Sequence, residues 1–167
     1  FAQRLSFTGE TGWEIFVTPD FAEHVLEIIL KAGQPLGLRL AGGEALNALR
    51  IEKGFLHWGA DMAYTEAPYQ LGLNFICKPG KTLPFIGQDA CLARKADPKG
   101  PCLRSVRLAD PDAILHHNEP VLRDGQIIGF VTSGAFCAIQ KAAVGLCLVS
   151  PPDLSLIHIS EPTRQSK

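Results

Sequence analysis

The dipeptide Asp124-Gly125, set between the apolar runs "PVLR" and "QIIGFVT", narrows the fold of this chain more than any other feature. An Asp-Gly pair supplies the two positive φ angles of a tight turn, so the flanking runs are predicted to fold back as an antiparallel hairpin. "CLRSVRLAD" upstream and "AAVGLCLVS" downstream share the same β-rich chemistry, and together the runs predict a compact β-sandwich or barrel module. "TSG", Thr132 to Gly134, follows a strand. With no placed histidine and acid beside it, it reads as a turn or bulge and not as a serine nucleophile.

The amino-terminal half has another character. "QRLSFTG" and "WEIFVTP" are strand-like runs around "ETG", where Gly9 and Gly12 are predicted to supply positive φ. "DFAEHVLEIILKAG" places Phe21, Val25, Ile28 and Ile29 on one helical face, with Asp20 as N-cap, Glu23 as its capping-box partner and Gly33 as stop. "GGEALNALRIEKG" predicts a second amphipathic helix carrying Ala45, Leu46 and Leu49. From Phe55 to Gly80 the chain is punctuated by Gly59, Pro68 and Pro79 and is predicted to be mostly loop, with strand chemistry only in "LNFICK". A short helix is predicted over Gln88 to Ala96, before a linker at "ADPKGP". Two helices beside an irregular sheet, followed by a small β module, make the predicted fold class α+β.

Composition excludes several classes of function. A formal charge of −1, with basic residues scattered along the chain, leaves no footprint for nucleic acid or an anionic membrane and favours a small-molecule or protein partner. No apolar run approaches the roughly 18 residues of a membrane span. The five cysteines include no C-x-x-C pair and lie in apolar or small-residue contexts. They read as reduced, buried thiols, which points to the bacterial cytoplasm or the mitochondrial matrix. His116-His117 has no third ligand at useful spacing, so no metal site is expected. The sequence contains neither a glycine-rich nucleotide loop nor a nucleophile elbow.

Glu14, between Trp13 and Ile15, raises the sharpest functional question. Strict alternation would turn it to water. A carboxylate held in an apolar pocket would instead accept paired N–H donors from a guanidine-like ring edge, as found on pterins and purines. Glu10, in the glycine turn, ranks below it as a solvated or backbone-capping acid. His57, Trp58 and Asp61 in "HWGAD" put an imidazole, an indole and a carboxylate close together in a loop. Such a set suits a heteroaromatic ligand, although a Trp in a core corner explains the pattern equally well.

These pieces resemble one family. "RLSFTGETGWEIFV" is similar to the R-x-[SG]-[YF]-[TV]-G-E-x-G-[WFV]-E-[IL] signature of the aminomethyltransferases, the T-protein of the glycine cleavage system, and of their folate-binding relatives fused to flavoenzymes. "ALNALRIEKGFLHWGADM" resembles the helix-and-loop block of that family, "LNFICK" with "FIGQDA" the join to its barrel, and "DGQIIGFVTSGAFCAIQKAAVGLCLV" the barrel itself. Within the family, "RIEKGFLHWGAD" and "PFIGQDA" look nearest to dimethylglycine and sarcosine dehydrogenases.

The resemblance implies three parts. Residues 1–84 would be the C-terminal part of a folate-binding domain, 85–153 a C-terminal β-barrel, and 154–167 a separate tail. That tail, "LSLIHISEPTRQSK", resembles a translated sequencing adapter, with a short strand and polar tail as the alternative. The chain opens on Phe1 within a predicted strand, so it reads as a piece of something longer. The implied cofactor is tetrahydrofolate, with FAD only in a domain upstream; the implied partners are folate and an amine-derived one-carbon unit. Glu14 matches the family glutamate that hydrogen-bonds the pterin, and His57 and Trp58 are the accompanying candidates for cofactor binding. The family's catalytic aspartate falls upstream of Phe1, so no catalytic residue is assigned and the fragment is expected to be inactive alone. Leu46 stands where T-protein has a folate-contacting arginine, and "APYQLGL" places Tyr69 and Gln70 where the family has Leu and Glu. The implied function is one-carbon transfer in a dimethylglycine- or sarcosine-type dehydrogenase. The alternatives are a glycine cleavage aminomethyltransferase or a non-catalytic scaffold of the same fold.

Overall fold

The computed structural model describes residues 1–78, 83–96 and 100–150. The predicted tail over 154–167, the turn at Pro79 and most of the "ADPK" linker lie outside these residues. The chain divides into two compact units, Phe1–Phe55 and Leu56–Lys167.

In the first unit, the two-residue strands β1 (Ala2–Gln3) and β2 (Glu14–Ile15) pair antiparallel, with Ala2 opposite Ile15 and Gln3 opposite Glu14. The predicted hairpin is thus right in its partners but wrong in its extent: the run after Gln3 is loop. Its hydroxyls explain why. Ser6 and Thr8 bond each other at 3.2 Å, and the Thr8 hydroxyl lies 3.5 Å from the Glu10 amide, so local bonds replace the ladder. Only Gly9 of the two predicted glycines takes a positive φ, +76°. The Lys53 side chain lies against it, in space a Cβ would need.

Helix α1 (Pro19–Gly33) begins one residue earlier than its predicted cap. Thr18 holds the extended N-cap position and Pro19 opens the helix, because its fixed φ is already helical and its missing N–H would have had no partner there. Gly33 remains helical, and the chain continues through a 3-10 turn to Gly37, whose φ of 81° makes the actual stop. Val25 and Ile29 are half-buried, whereas Phe21 and Ile28 are exposed. Helix α2 (Gly43–Glu52) buries Arg50 and Ile51. The predicted stripe through Leu46 is displaced, and Leu46 is exposed.

The second unit opens with turns over Leu56–Lys78, where "LNFICK" forms turns and not a strand: Leu73 N–H donates to Pro68 O and Ile76 N–H to Leu73 O. Pro68 and Gly72 punctuate the run too closely for a ladder. Helix α3 spans Gln88–Ala96, as predicted. Strands β3 (Cys102–Arg107), β4 (Pro120–Arg123), β5 (Gln126–Cys137) and β6 (Ala142–Val149) then form one four-stranded antiparallel sheet in the order β3-β6-β5-β4. Asp124 and Gly125 join β4 to β5 with φ of 51° and 76°, the two positive angles their side chains tolerate best. β6, flanked on both sides, is buried at every position, which is why "AAVGLCLV" reads as a continuous apolar run. Close approach dictates two of its surroundings: a Cβ on Gly134 would meet Leu115 O at 2.5 Å, and one on the facing Gly145 would meet Ser133 O at 2.7 Å. Leu108, Leu115, Val121, Val131, Ala143, Cys147 and Val149 make the core.

Candidate functional site

In the first unit Glu14 is half-buried, while its neighbours Trp13 and Ile15 are 61% and 50% exposed. The phase of β2 is therefore opposite to simple amphipathic alternation: the acid faces inward and the two apolar residues face out. Among the described residues no hydrogen bond or ion pair engages the Glu14 carboxylate. Glu10 is committed elsewhere, its carboxylate 3.2 Å from Lys53 Nζ at the surface. A half-buried acceptor with two unengaged oxygens fits a ligand edge bearing paired N–H donors.

Arg50 is the functional-looking residue that sequence reasoning passed over. It is 2% exposed, donates from Nε to Asn47 Oδ1 at 2.9 Å and from Nη1 to Phe55 O at 3.2 Å, and lies 6.0 Å from the Phe7 ring centroid. Its position one step off the apolar stripe of α2, three residues after Asn47, was the available signal.

In the second unit the "HWGAD" loop separates its own members. His57 and Trp58 are exposed, the indole at 63%. Asp61 is fully buried and accepts from His57 N at 2.9 Å and from the Thr132 hydroxyl at 2.6 Å. It thus ties the loop to β5, at the point where the ladder slips between Val131 and Ser133. Thr132 belongs to the bulge that "TSG" predicts, and His117 Nδ1 lies 2.6 Å from its carbonyl. Asp61 also acts on Cys147: burial first, and the carboxylate second, push that thiol up to about 12. Gln70, one of the two departures from the family pattern, is 4% exposed and uses its whole amide. Oε1 accepts from Ala67 N at 2.8 Å and Nε2 donates to Pro101 O at 2.8 Å, while Leu103 N–H donates to the Gln70 carbonyl at 2.7 Å.

The cysteines divide. Cys102, Cys137 and Cys147 are buried as predicted, but Cys77 and Cys91 are only half-buried, because they lie in a turn and on a short helix instead of the sheet. No helix among the described residues is long and apolar enough to cross a membrane.

Residues 1–81 match the GCVT N-terminal domain, and residues 102–161 match the glycine cleavage T-protein C-terminal barrel domain. The chain belongs to the glycine cleavage T-protein family. This family binds tetrahydrofolate, and Glu14 lies within the matched N-terminal segment. Its members similar to this chain divide into two groups. One contains a 4-methylaminobutanoate oxidase (formaldehyde-forming) of Paenarthrobacter nicotinovorans, 42% identical over 93% of this chain and 19% of its own length. The same group contains the mitochondrial dimethylglycine dehydrogenase of Rattus norvegicus, 38% identical over 84% of this chain and 17% of its own length. The other contains an aminomethyltransferase of Clostridium botulinum (strain Okra / Type B1), 36% identical over 87% of this chain and 39% of its own length. The chain thus spans less than a fifth of the oxidising relatives and about two fifths of the transferase. The crystal structure of the glycine cleavage system aminomethyltransferase T from Bartonella henselae shares the fold, with a TM-score of 0.78, 24% identity, and coverage of 89% of this chain and 41% of that one.

Proposed function

We propose that this T-protein-family chain is the tetrahydrofolate-binding part of a flavin-dependent enzyme that oxidises N-methylated amino acids of the dimethylglycine and sarcosine type. The observation that carries the reading is Glu14, a half-buried carboxylate within the segment that matches the family's N-terminal domain, with no hydrogen bond or ion pair among the described residues. The oxidase and dehydrogenase relatives support the choice of parent enzyme.

When bound, tetrahydrofolate supplies the nucleophilic nitrogen that takes up the one-carbon unit. Glu14 accepts the N–H donors of the pterin edge and so fixes the plane and register of the ring. In the second unit, taken by itself, Trp58 is largely exposed and offers a flat face for a heteroaromatic ring, and the neighbouring His57 a polar edge. Glu14 contributes by orientation, converting an encounter between two solutes into a held geometry. FAD belongs to another domain of the parent protein, and the cellular setting is the bacterial cytoplasm or the mitochondrial matrix.

The test uses the full-length parent protein supplied with dimethylglycine or sarcosine, with and without tetrahydrofolate. The reading expects tetrahydrofolate to suppress free formaldehyde and yield the methylene derivative in its place. Aminomethyl transfer without oxidation of either amine would favour the transferase reading. Absence of folate binding would favour a scaffold.

A further inference from the structure

Apart from Glu14 and the "HWGAD" loop, the second unit contains a cavity of about 170 Å³ between the turn that ends at Lys78 and helix α3. Its lining includes Phe85 and Gln88, two lysines, Lys78 and Lys95, and two cysteines, Cys77 and Cys91. Both cysteine side chains line this one cavity, and Cys77 acts on the Cys91 thiol. Both are free and half-buried, in contrast to the three cysteines sealed in the sheet. Two free thiols and two ammonium groups on the wall of one cavity form a constellation that neither apolar packing nor the folate site needs.

We propose that Cys77 and Cys91 form a reversible dithiol–disulfide couple whose co-substrates are small anionic disulfides, drawn in by Lys78 and Lys95. The Cys77 thiolate attacks one sulfur of the incoming disulfide, forming a mixed disulfide and expelling one thiolate. Cys91 then attacks the Cys77 sulfur of that mixed disulfide, closing the Cys77–Cys91 bond and expelling the second thiolate. The two protons from the cysteines pass to the two departing thiolates, so one disulfide is reduced as the other forms. Burial first, and Cys77 second, raise the Cys91 thiol above its ordinary range and lower its thiolate fraction, which suits it to the second, resolving step. Closing the bond would pin the turn to α3 across the cavity wall.

The test equilibrates the full chain in buffers of varied reduced to oxidised glutathione ratio, quenches it with acid, and maps the peptides by mass spectrometry without reduction. The expected result is one cross-linked peptide pair holding Cys77 and Cys91, with Cys102, Cys137 and Cys147 still reduced. In the Lys78→Glu, Lys95→Glu double variant the cross-link should form several-fold more slowly with oxidised glutathione but at an unchanged rate with the uncharged hydroxyethyl disulfide. Failure of the cross-link to form at any ratio would overturn the proposal. Glutathione caps on either cysteine without a cross-link would do the same, and so would equal slowing with both disulfides.

Discussion

The bond between Thr132 and Asp61 is the clearest place to test how the second unit is held together. Both residues are essentially inaccessible, and the hydroxyl donates to the carboxylate at 2.6 Å, a short charge-assisted bond. Thr132→Val keeps the shape of the side chain, so no cavity opens, but it removes the donor and leaves a buried carboxylate oxygen without it. A hydrogen bond to a charged group contributes about 1.5–3 kcal/mol, and a loss of about 2–3 kcal/mol is expected. Thr132→Ser keeps the donor and removes one methyl group, a loss of about 1 kcal/mol. Urea unfolding followed by circular dichroism separates the two. With a slope of about 1–3 kcal/mol per molar urea, the Val midpoint should fall by about 1 M and the Ser midpoint by clearly less. A Val variant as stable as the parent, or less affected than the Ser variant, would refute the argument that Asp61 depends on this donor.

Two further predictions follow from the same unit. Gln70→Glu keeps an acceptor for Ala67 N–H but sets a second carboxylate oxygen against Pro101 O, where an N–H now donates. A loss of about 1–3 kcal/mol is expected by thermal or urea unfolding, while Gln70→Met, which also removes the amide, should lose a comparable amount. The Cys147 thiol, pushed from 9.0 to about 12, gives an alkaline signature. The folded chain keeps this proton where the unfolded chain releases it, so its contribution is whole below pH 9 and is lost as pH rises from there toward 12. The slope is about 1.4 kcal/mol per pH unit. Urea midpoints collected across this range for the parent and for Cys147→Ala should converge as pH rises, because the variant lacks that loss.

Much of the second unit was legible because its local signals agree with its tertiary needs. Asp124-Gly125 has the chemistry of a turn requiring positive φ at both residues, and "AAVGLCLV" has the unbroken apolarity of a strand with neighbours on both sides. The helix over Gln88–Ala96 was equally plain. The errors arose where non-local packing or short polar bonds outweighed propensity. Hydroxyls in the loop after Gln3 bond locally and cut β1 and β2 to two residues each. Pro19 advances the start of α1, and "LNFICK" lost its strand character to the turn at Pro68. Burial of Arg50 and Asp61 could not be read from composition, since partners that receive them, Asn47 and Phe55 O for Arg50 and the Thr132 hydroxyl for Asp61, are brought to them by folding. At the candidate site, Glu14 was legible as an acid out of phase with its neighbours. What the sequence left open was which way the phase ran, and β2 turns the carboxylate inward.

The most direct test of this account is the affinity of tetrahydrofolate for the full-length parent protein before and after Glu14→Gln, measured by calorimetry with unfolding midpoints checked in parallel. Exchanging the charged acceptor for an amide removes a charge-assisted pair of bonds, so the dissociation constant should rise about tenfold or more while stability changes little. Equal affinity in two equally folded proteins would contradict the assignment of Glu14 to the pterin ring.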